Sequence, residues 1–469
     1  MEIFKRNQKI IGILVIAFLF ILGIIHWLSF FNFGDLSFSA YDWPKEIRCY
    51  SVLEQAIRQG IIPYNVSRAL PYDATNRFLA LPEIITSPQL ILLKVMSIGN
   101  FIVLNTILMY AIGFIGCLLI KKRYNLSLIP FTILYLLFNF NGHITSHIAI
   151  GHSMWNGYFL LPFFCLFLFE LIEQNAKNNN AAIKISLILF AIILQGTWHL
   201  FVWCILFMLF LAIFERKYTR QVASAIILSV LLSLFKLLPA AITFYNKGYR
   251  FMSGYPNLRD LFDALTLIRD HTFVYAGGIL ASLGSWECDI YIGILGLAFI
   301  AYFGFYVRFK NDSVSKNYTY KKLDWPIGLM SLFSISCFYA FIAMLPIPLL
   351  NSERVPSRFL ILPLVVMVII SCINMQKLIH LYKNLSKVIK FVSIAALLQV
   401  AFSLMGHSKV WRIASIEKSF ANEMPDFTIS IIQQPDAFYK SIFWFSSFVS
   451  LFVFVILVLF YIRSLVQEK

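Results

Sequence analysis

The chain has 469 residues, of which 59% are hydrophobic and only 13% are charged. Soluble proteins carry about a quarter charged residues, so this composition excludes a soluble enzyme, a disordered chain and a secreted disulfide scaffold. The net charge of +16 would suggest nucleic-acid binding in a soluble protein, but in membrane proteins basic residues collect in cytoplasmic loops. We therefore predict a membrane protein without a nucleic-acid partner.

Apolar runs long enough for membrane helices recur along the chain. A spanning helix needs about 20 apolar residues, and lipid admits helices rather than open sheets because backbone polar groups must be paired. We predict an all-α polytopic protein with about twelve transmembrane helices, forming one integral membrane domain over residues 1–469. The predicted spans are residues 10–30, 99–120, 126–140, 157–172, 182–198, 200–214, 222–244, 290–307, 326–347, 359–375, 390–406 and 441–462.

The distribution of Lys and Arg predicts the orientation of these spans. Short basic segments, such as residues 121–123 and 308–322, alternate with longer loops that are less dense in charge. Because cytoplasmic loops are enriched in Lys and Arg, both termini are predicted to be cytoplasmic. The outer side then carries loops at 31–90, 246–289 and 407–440. Because long loops without structure are uncommon, these loops are predicted to be structured and to carry a functional site.

The first outer loop contains an acidic residue at the start of a predicted helix. Asp42 precedes this helix, which is expected to run to Gln59 and to end at Gly60, with Pro63 beyond it. One interpretation is structural, with Asp42 as the helix N-cap. The other is a carboxylate at the membrane surface that takes a proton from an incoming hydroxyl or amide. Asp35 is the second candidate for that base.

These residues resemble the type C (GT-C) membrane glycosyltransferase superfamily, whose first outer loop carries the catalytic Asp ahead of a Gly-x-x-Pro. Further motifs resemble its bacterial branch of lipoteichoic-acid glycosylating proteins. In chain order they are Leu81-Pro82-Glu83 with Ser87-Pro88, Ile150-Gly151-His152 with Leu161-Pro162, Ser285-Trp286-Glu287 with Tyr291-Ile292-Gly293, and Arg354-Val355-Pro356-Ser357-Arg358-Phe359. The chain after Phe359 carries no matching motif. The family's Asp-Glu pair and its Asp-x-Asp in the second outer loop are absent, so a divalent metal stays an open alternative and no metal ligands are predicted.

The resemblance implies an inverting enzyme that takes a sugar from a polyprenyl-phosphate carrier on the outer face of a bacterial plasma membrane. The acceptor would be a cell-envelope glycan, a lipid or a protein, and Asp42 would be the general base. The residues expected to bind substrate are Arg354, Arg358, His152, Glu83, Lys236, Trp286, Glu287 and Tyr255.

The basic candidates have structural alternatives. Arginine presents a planar fork that suits phosphate, so Arg354 and Arg358 are candidates for the carrier phosphate; the alternative is that both extend to lipid headgroups. Lys236 lies inside an apolar run, where a charge is costly and is by default a functional hypothesis. It is expected either to pair with Glu170 or to help hold phosphate.

The remaining candidates also carry two interpretations. Glu83 is either a second acid or a partner for Arg77. Trp286 and Tyr255 either stack on a sugar or belong to the aromatic belt at the membrane surface.

Histidine and cysteine positions leave two further alternatives open. His143 and His147 are four residues apart, a spacing at which one helical face can bind a metal. Alternatively, these histidines form hydrogen bonds within the protein, or they form hydrogen bonds to substrate. Cys49 and Cys288 both fall in predicted outer segments. The sequence leaves open whether these two cysteines form a disulfide.

Two other functions are compatible with this sequence. A flippase or transporter of a lipid-linked saccharide would place polar residues through the middle of several spans and often shows repeat symmetry. Here only Lys236 and Glu170 lie deep in apolar runs, and the sequence shows no internal repeat. An envelope polysaccharide polymerase or ligase would use a diphosphate-linked oligosaccharide donor.

Overall fold

A computed structural model describes residues 2–66, 75–174, 180–244, 253–275, 283–307, 319–344, 353–381, 387–418, 433 and 435–467. This part of the chain is all-α apart from one pair of two-residue strands. The predicted outer loops 31–90, 246–289 and 407–440 are described only in part, since residues 67–74, 245–252, 276–282, 419–432 and 434 lie outside these ranges.

The helices and strands follow one another in this order. The α-helices are α1 Glu2–Phe30, α2 Trp43–Gln59, α3 Ile98–Arg123, α4 Leu128–Asn139, α5 Gly142–Ala149, α6 Leu161–Glu173, α7 Asn180–Leu194, α8 Trp198–Phe214, α9 Thr219–Leu232, α10 Leu234–Phe244, α11 Leu258–Thr266, α12 Ser285–Cys288, α13 Gly293–Phe299, α14 Asp324–Phe333, α15 Ser336–Ala343, α16 Ile361–Leu381, α17 Lys387–Val410, α18 Ile413–Glu417 and α19 Ala437–Gln467. Short 3₁₀ helices cover Asn32–Gly34, Phe78–Ala80, Pro88–Lys94, Ser153–Leu160, Arg216–Tyr218, Thr319–Leu323 and Pro356–Leu360, and a π-helix covers Ile300–Tyr306. The strands are β1 Val274–Tyr275 and β2 Leu283–Gly284, which pair antiparallel.

Several of these helices are long and apolar enough to cross a membrane. Within the described residues there are seven, or eight if the bent pair α9 and α10 is one span. The seven cover Ile10–Phe30, Ile98–Arg123, Leu128–Ala149, Ser153–Glu173, Ser285–Tyr306, Pro356–His380 and Ala437–Arg463. The chain is therefore embedded in a membrane. Two predicted spans coincide with the shorter apolar helices α7 and α8, and the predicted span 326–347 is divided between α14 and α15.

The predicted helix of the first outer loop is present as α2. It begins directly after Asp42 and ends at Gly60, whose φ of +67° is a left-handed conformation that favours glycine. One face buries large side chains, including Trp43 and Tyr50. Because polar side chains cover the opposite face, α2 is an amphipathic helix seated on the body of the protein, as the sequence predicts.

Residues 150–152 pack directly beneath the start of α2. Gly151 has a φ of +96°, and a Cβ there would lie 2.5 Å from the backbone nitrogen of Trp43. The backbone N–H of Asp42 donates to the carbonyl of Ile150 at 3.0 Å. Glycine is required because the two backbones approach so closely. That approach brings His152 beside Asp42.

The span that contains Lys236 is broken. Helices α9 and α10 meet at an angle of 76°, and Lys236 lies just after the break, buried, with its Nζ donating to the carbonyl of Leu79 at 3.3 Å. Glu170 instead pairs with Lys184 at 2.7 Å. The predicted pairing of Lys236 with Glu170 is therefore wrong: the lysine instead contacts the 3₁₀ helix Phe78–Ala80.

Candidate active site around Asp42

Asp42 stands at the entrance to α2, but its side chain does not cap that helix. Its Oδ2 instead lies 3.2 Å from Nε2 of His152. The Asp42 side chain is 48% exposed, whereas that of His152 is only 10% exposed. Asp42 therefore occupies the predicted N-cap position, but its side chain makes no capping hydrogen bond. The loop presents an open carboxylate attached to a buried imidazole.

The surrounding charges favour ionised Asp42. Burial alone would raise the pKa of its carboxyl, but the hydrogen bond and charge of His152, followed by the charges of Lys45 and Arg354, outweigh burial and hold this pKa below its usual range. At neutral pH the group is a carboxylate, which can accept a proton. The same effect shows that Arg354, which is exposed, is near enough to act on this charge.

His147 orients the histidine that contacts Asp42. An ionised carboxylate has no proton to give, so Nε2 of His152 must be the donor. Nδ1 of His152 lies 2.8 Å from Nδ1 of His147, within hydrogen-bond distance. His147 is completely buried. It therefore fixes the ring orientation in which Nε2 of His152 faces Asp42.

A buried ionic group, formed by Lys45, Glu46 and Glu83, lies beside Asp42. Nζ of Lys45 is 2.6 Å from Glu83 and 3.8 Å from Glu46. Burial, and then the charge of Glu83, raise the pKa of Glu46 well above its usual value. The hydroxyl of Ser153 also donates to Glu46. These contacts anchor the first turn of α2 and bring the positive charge of Lys45 near Asp42.

The structure gives Glu83 a partner other than the one expected. Glu83 pairs with Lys45, whereas Arg77 pairs with Asp436 at 2.9 Å. The predicted Glu83–Arg77 contact is therefore wrong. The reason is tertiary, because Asp436 comes from the segment that leads into α19, far away in sequence.

Aromatic and histidine rings form one wall near Asp42, which we call the aromatic wall: His147, Trp155, His199 and Trp203. The rings of His147 and His199 both stack on Trp155, with centroid distances of 5.0 and 6.1 Å. Trp203 lies 5.4 Å from Trp155. The aromatic wall therefore connects His147, which contacts His152, to His199.

The second histidine, His199, pairs with Glu353, a carboxylate that lies outside the predicted set of site residues. Oε2 of Glu353 lies 2.9 Å from Nδ1 of His199 and accepts from Nε1 of Trp203 at 3.0 Å. Burial would raise the pKa of Glu353, but the charge and hydrogen bond of His199 hold it below its usual range. Glu353 directly precedes Arg354, which was the one sequence signal that could have drawn attention to it.

The two motif arginines have different environments. Arg358 is buried, and its Nε donates to Glu287 at 2.7 Å. Its guanidinium also lies 5.8 Å from the ring centre of Trp155. Arg354 is exposed, and no carboxylate in the described ranges pairs with it. Arg358 and Glu287 therefore shape the site, while Arg354 is available to a ligand.

The aromatic candidates Trp286 and Tyr255 differ in how deeply they are buried. Trp286 is half-buried beside Tyr41, with ring centroids 4.9 Å apart. Tyr41 directly precedes Asp42 in the sequence. Tyr255 is buried, and its hydroxyl donates to the carbonyl of Cys288 at 2.8 Å. Trp286 is thus placed at the site, whereas Tyr255 packs inside the protein.

In the described part of the chain, neither Asp35 nor the two cysteines forms a hydrogen bond or ion pair with Asp42. Asp35 is exposed, after the 3₁₀ turn Asn32–Gly34. Cys49 and Cys288 are both buried free thiols, so the disulfide that the sequence leaves open is not formed.

The described residues contain no group of three or more His, Cys, Asp or Glu side chains placed to hold a metal ion. His143 and His147 do share one face of α5, with ring centroids 4.5 Å apart. Nδ1 of His147, however, is engaged with His152. The pair is part of the ring cluster behind Asp42.

In comparisons with known proteins, no family model, curated protein or solved structure matches this chain. The chemistry of the Asp42 cluster must therefore be argued from its own geometry. That geometry combines a half-exposed anionic carboxylate, a histidine that orients it and an exposed arginine nearby.

Proposed function

We propose that this protein is a GT-C-type membrane glycosyltransferase that moves a sugar from a polyprenyl-phosphate carrier to an extracytoplasmic glycan, lipid or protein acceptor. One observation carries the proposal: Asp42 is an accessible, ionised carboxylate that is hydrogen-bonded to His152 and lies near Arg354. Proton acceptance from the acceptor is the task of such a group in this reaction.

The proposed step is an inverting displacement. The acceptor hydroxyl or amide gives its proton to Asp42 and its lone pair forms a bond to the anomeric carbon. The bond from that carbon to the carrier phosphate breaks, and the phosphate oxygen keeps the electron pair. Arg354 stabilises the charge that develops on this oxygen. His152 orients Asp42, and the Arg358–Glu287 pair holds the segment that carries Arg354.

We further propose twelve crossings of a bacterial plasma membrane, with both termini in the cytoplasm and Asp42 outside. The shorter apolar helices α7 and α8, the pair α14 and α15, and α17 lie where the additional spans are predicted. The density of Lys and Arg in the short loops supports this orientation. Asp42 would then face the compartment in which carrier-linked sugars are used.

One observation favours a second candidate, a transporter of lipid-linked saccharide. Broken helices that enclose polar groups are typical of transporter binding sites, and α9 and α10 form such a break next to buried Lys236. The polar residues of the Asp42 cluster nevertheless fall in segments that are predicted to lie on one side of the membrane. For this reason we favour surface chemistry.

The proposal is tested with purified protein in vesicles and a panel of radiolabelled polyprenyl-phosphate sugars. Transfer of label from one donor to an acceptor or to water is the expected result, and vesicles without protein are the control. Movement of carrier lipid across the bilayer without any transfer would reject the enzyme and support the transporter.

The His152→Ala variant is expected to move the acid limb of the pH–rate profile to higher pH. The active form of Asp42 is the anion, and His152 lowers the pKa of this carboxyl. Without His152 that pKa rises, so protonation and loss of activity begin at a higher pH. The measurement is kcat/KM against pH for both proteins. An unmoved limb would show that His152 does not act on the catalytic group.

The Arg354→Gln variant is expected to lower kcat/KM for the carrier-linked donor about tenfold to a hundredfold, since hydrogen bonds to charged groups contribute about 1.5–3 kcal/mol. Arg354 is exposed, so the thermal unfolding midpoint should stay near that of wild type. Initial rates at varied donor concentration provide the test. Wild-type kinetics in this variant would show that Arg354 does not bind the carrier phosphate.

A further inference from the structure

A groove separate from the Asp42 cluster opens between α1 and α17. Its volume is about 360 Å³. One part is apolar and the other is polar and basic. The apolar lining residues are Leu22, Ile25, Phe30, Phe402 and Met405, and the other part is formed by His26, Ser29, Gly406, Ser408, Lys409 and Arg412.

The groove lies at the membrane surface on the Asp42 side. His26 and Ser29 occupy the last turns of the first membrane span, which ends at Phe30. The chain then continues outside to Asp42. The outward residues of this helix, such as Ile25, are exposed on the surface of the protein, as lipid-facing residues are. The groove is therefore open to the lipid and not enclosed by the protein core.

The basic part carries positive charge without a matching carboxylate. Arg412 donates to Oγ of Ser29 at 3.2 Å, which fixes the guanidinium against α1 and leaves other N–H groups available. Lys409 is exposed. Within the described part of the chain, neither cation forms an ion pair with Asp or Glu. Oγ of Ser408 and Nε2 of His26 meet at 3.3 Å on the floor between them.

We propose that this groove binds one anionic phospholipid. Its phosphate lies between Lys409 and Arg412, and an acyl chain follows the apolar wall formed by Leu22, Ile25 and Phe402. Arginine suits phosphate oxygens, and basic pockets between membrane helices hold acidic headgroups. A zwitterionic headgroup would bring its own ammonium toward two unpaired cations. The volume suits a phosphate, a glycerol and the beginning of a chain, while the remainder stays in the bilayer.

We assign a phospholipid rather than the sugar carrier because Asp42, His152 and Arg354 are not among the lining residues of the groove. None of its lining residues forms a hydrogen bond or ion pair with Asp42, His152 or Arg354 among the described contacts. The lipid site is also independent of the proposed enzyme activity. It can be tested on the purified protein without any glycosyl donor.

The test measures binding of phosphatidylglycerol and phosphatidylcholine to the protein in mixed micelles, by native mass spectrometry. Phosphatidylglycerol is expected to bind preferentially at one site. The Lys409→Gln/Arg412→Gln variant should weaken that site about 25-fold, since each basic residue near a headgroup contributes about fivefold. Lys440→Gln, which removes an exposed lysine at the start of α19, is the matched control and should bind like wild type.

Three results would overturn the proposal. Equal binding of the two lipids would remove the requirement for an anionic headgroup, and equal loss in the Lys440→Gln control would indicate general surface charge. Displacement of phosphatidylglycerol by an equimolar polyprenyl phosphate would assign the groove to the carrier. If the double variant fails to fold, Lys409→Gln alone should still weaken binding about fivefold, because this exposed side chain supports no described contact.

Discussion

Asp42→Asn is expected to reduce sugar transfer by about 10²–10⁴-fold, the usual contribution of general acid–base catalysis. An amide cannot accept the acceptor's proton. It can still accept the hydrogen bond from His152, which lies 3.2 Å from the carboxylate in the native protein. Because the side chain is about half exposed, no buried charge is lost. We therefore expect an inactive protein with a native fold.

The measurement compares initial rates of label transfer with the thermal unfolding midpoint in the same detergent. Both kcat and kcat/KM should fall together, as expected for an interaction that acts in the transition state. Glu54→Gln is the matched control: Glu54 lies on the same helix α2 and pairs with Arg58 at 2.8 Å on the surface. Its transfer rate should stay within about twofold of wild type, because such surface pairs contribute little.

Asp35→Asn separates the two acidic candidates. Asp35 is exposed and forms no hydrogen bond with His152 among the described contacts, so its variant should transfer sugar at a rate close to wild type. Retained transfer in Asp42→Asn together with loss in Asp35→Asn would move the base to Asp35. Retained transfer in both would contradict the proposed reaction.

Arg358→Met is expected to lower the free energy of unfolding by about 3–5 kcal/mol, the range for removal of one partner of a buried ion pair. The side chains of Arg358 and Glu287 are only 5% and 10% exposed. Without the arginine, Glu287 is left as a buried charge without its partner. The guanidinium also lies over Trp155, so the aromatic wall loses a contact.

The double variant Arg358→Met/Glu287→Gln should recover much of this stability, because it leaves no buried charge behind. Unfolding by denaturant in mixed micelles provides the measurement. Arg354→Gln is the control, since the exposed Arg354 has no carboxylate partner among the described residues. An Arg358→Met protein as stable as that control would contradict the ion pair. A stable Arg358→Met protein that fails to bind donor would instead assign Arg358 to the phosphate.

Much of the fold follows from local sequence signals. Helix α2 is predicted with its observed limits because Pro44, Gly60 and an amphipathic pattern act within a few residues of one another. The apolar runs likewise predict membrane helices from length alone. The break between α9 and α10 is not predicted, since the residues there continue the apolar pattern. Pro239 stands inside α10 rather than at the bend.

The sequence by itself determined that this is an all-α membrane protein with an acidic residue at the start of an amphipathic helix. Composition and local periodicity suffice for that, because lipid admits few backbone structures. Only the tertiary structure decided what the side chains do. Asp42 meets His152, Glu353 meets His199 and Arg358 meets Glu287 across long stretches of chain. Such contacts depend on how helices pack, which no local pattern encodes, and they leave Arg354 exposed while Arg358 is buried.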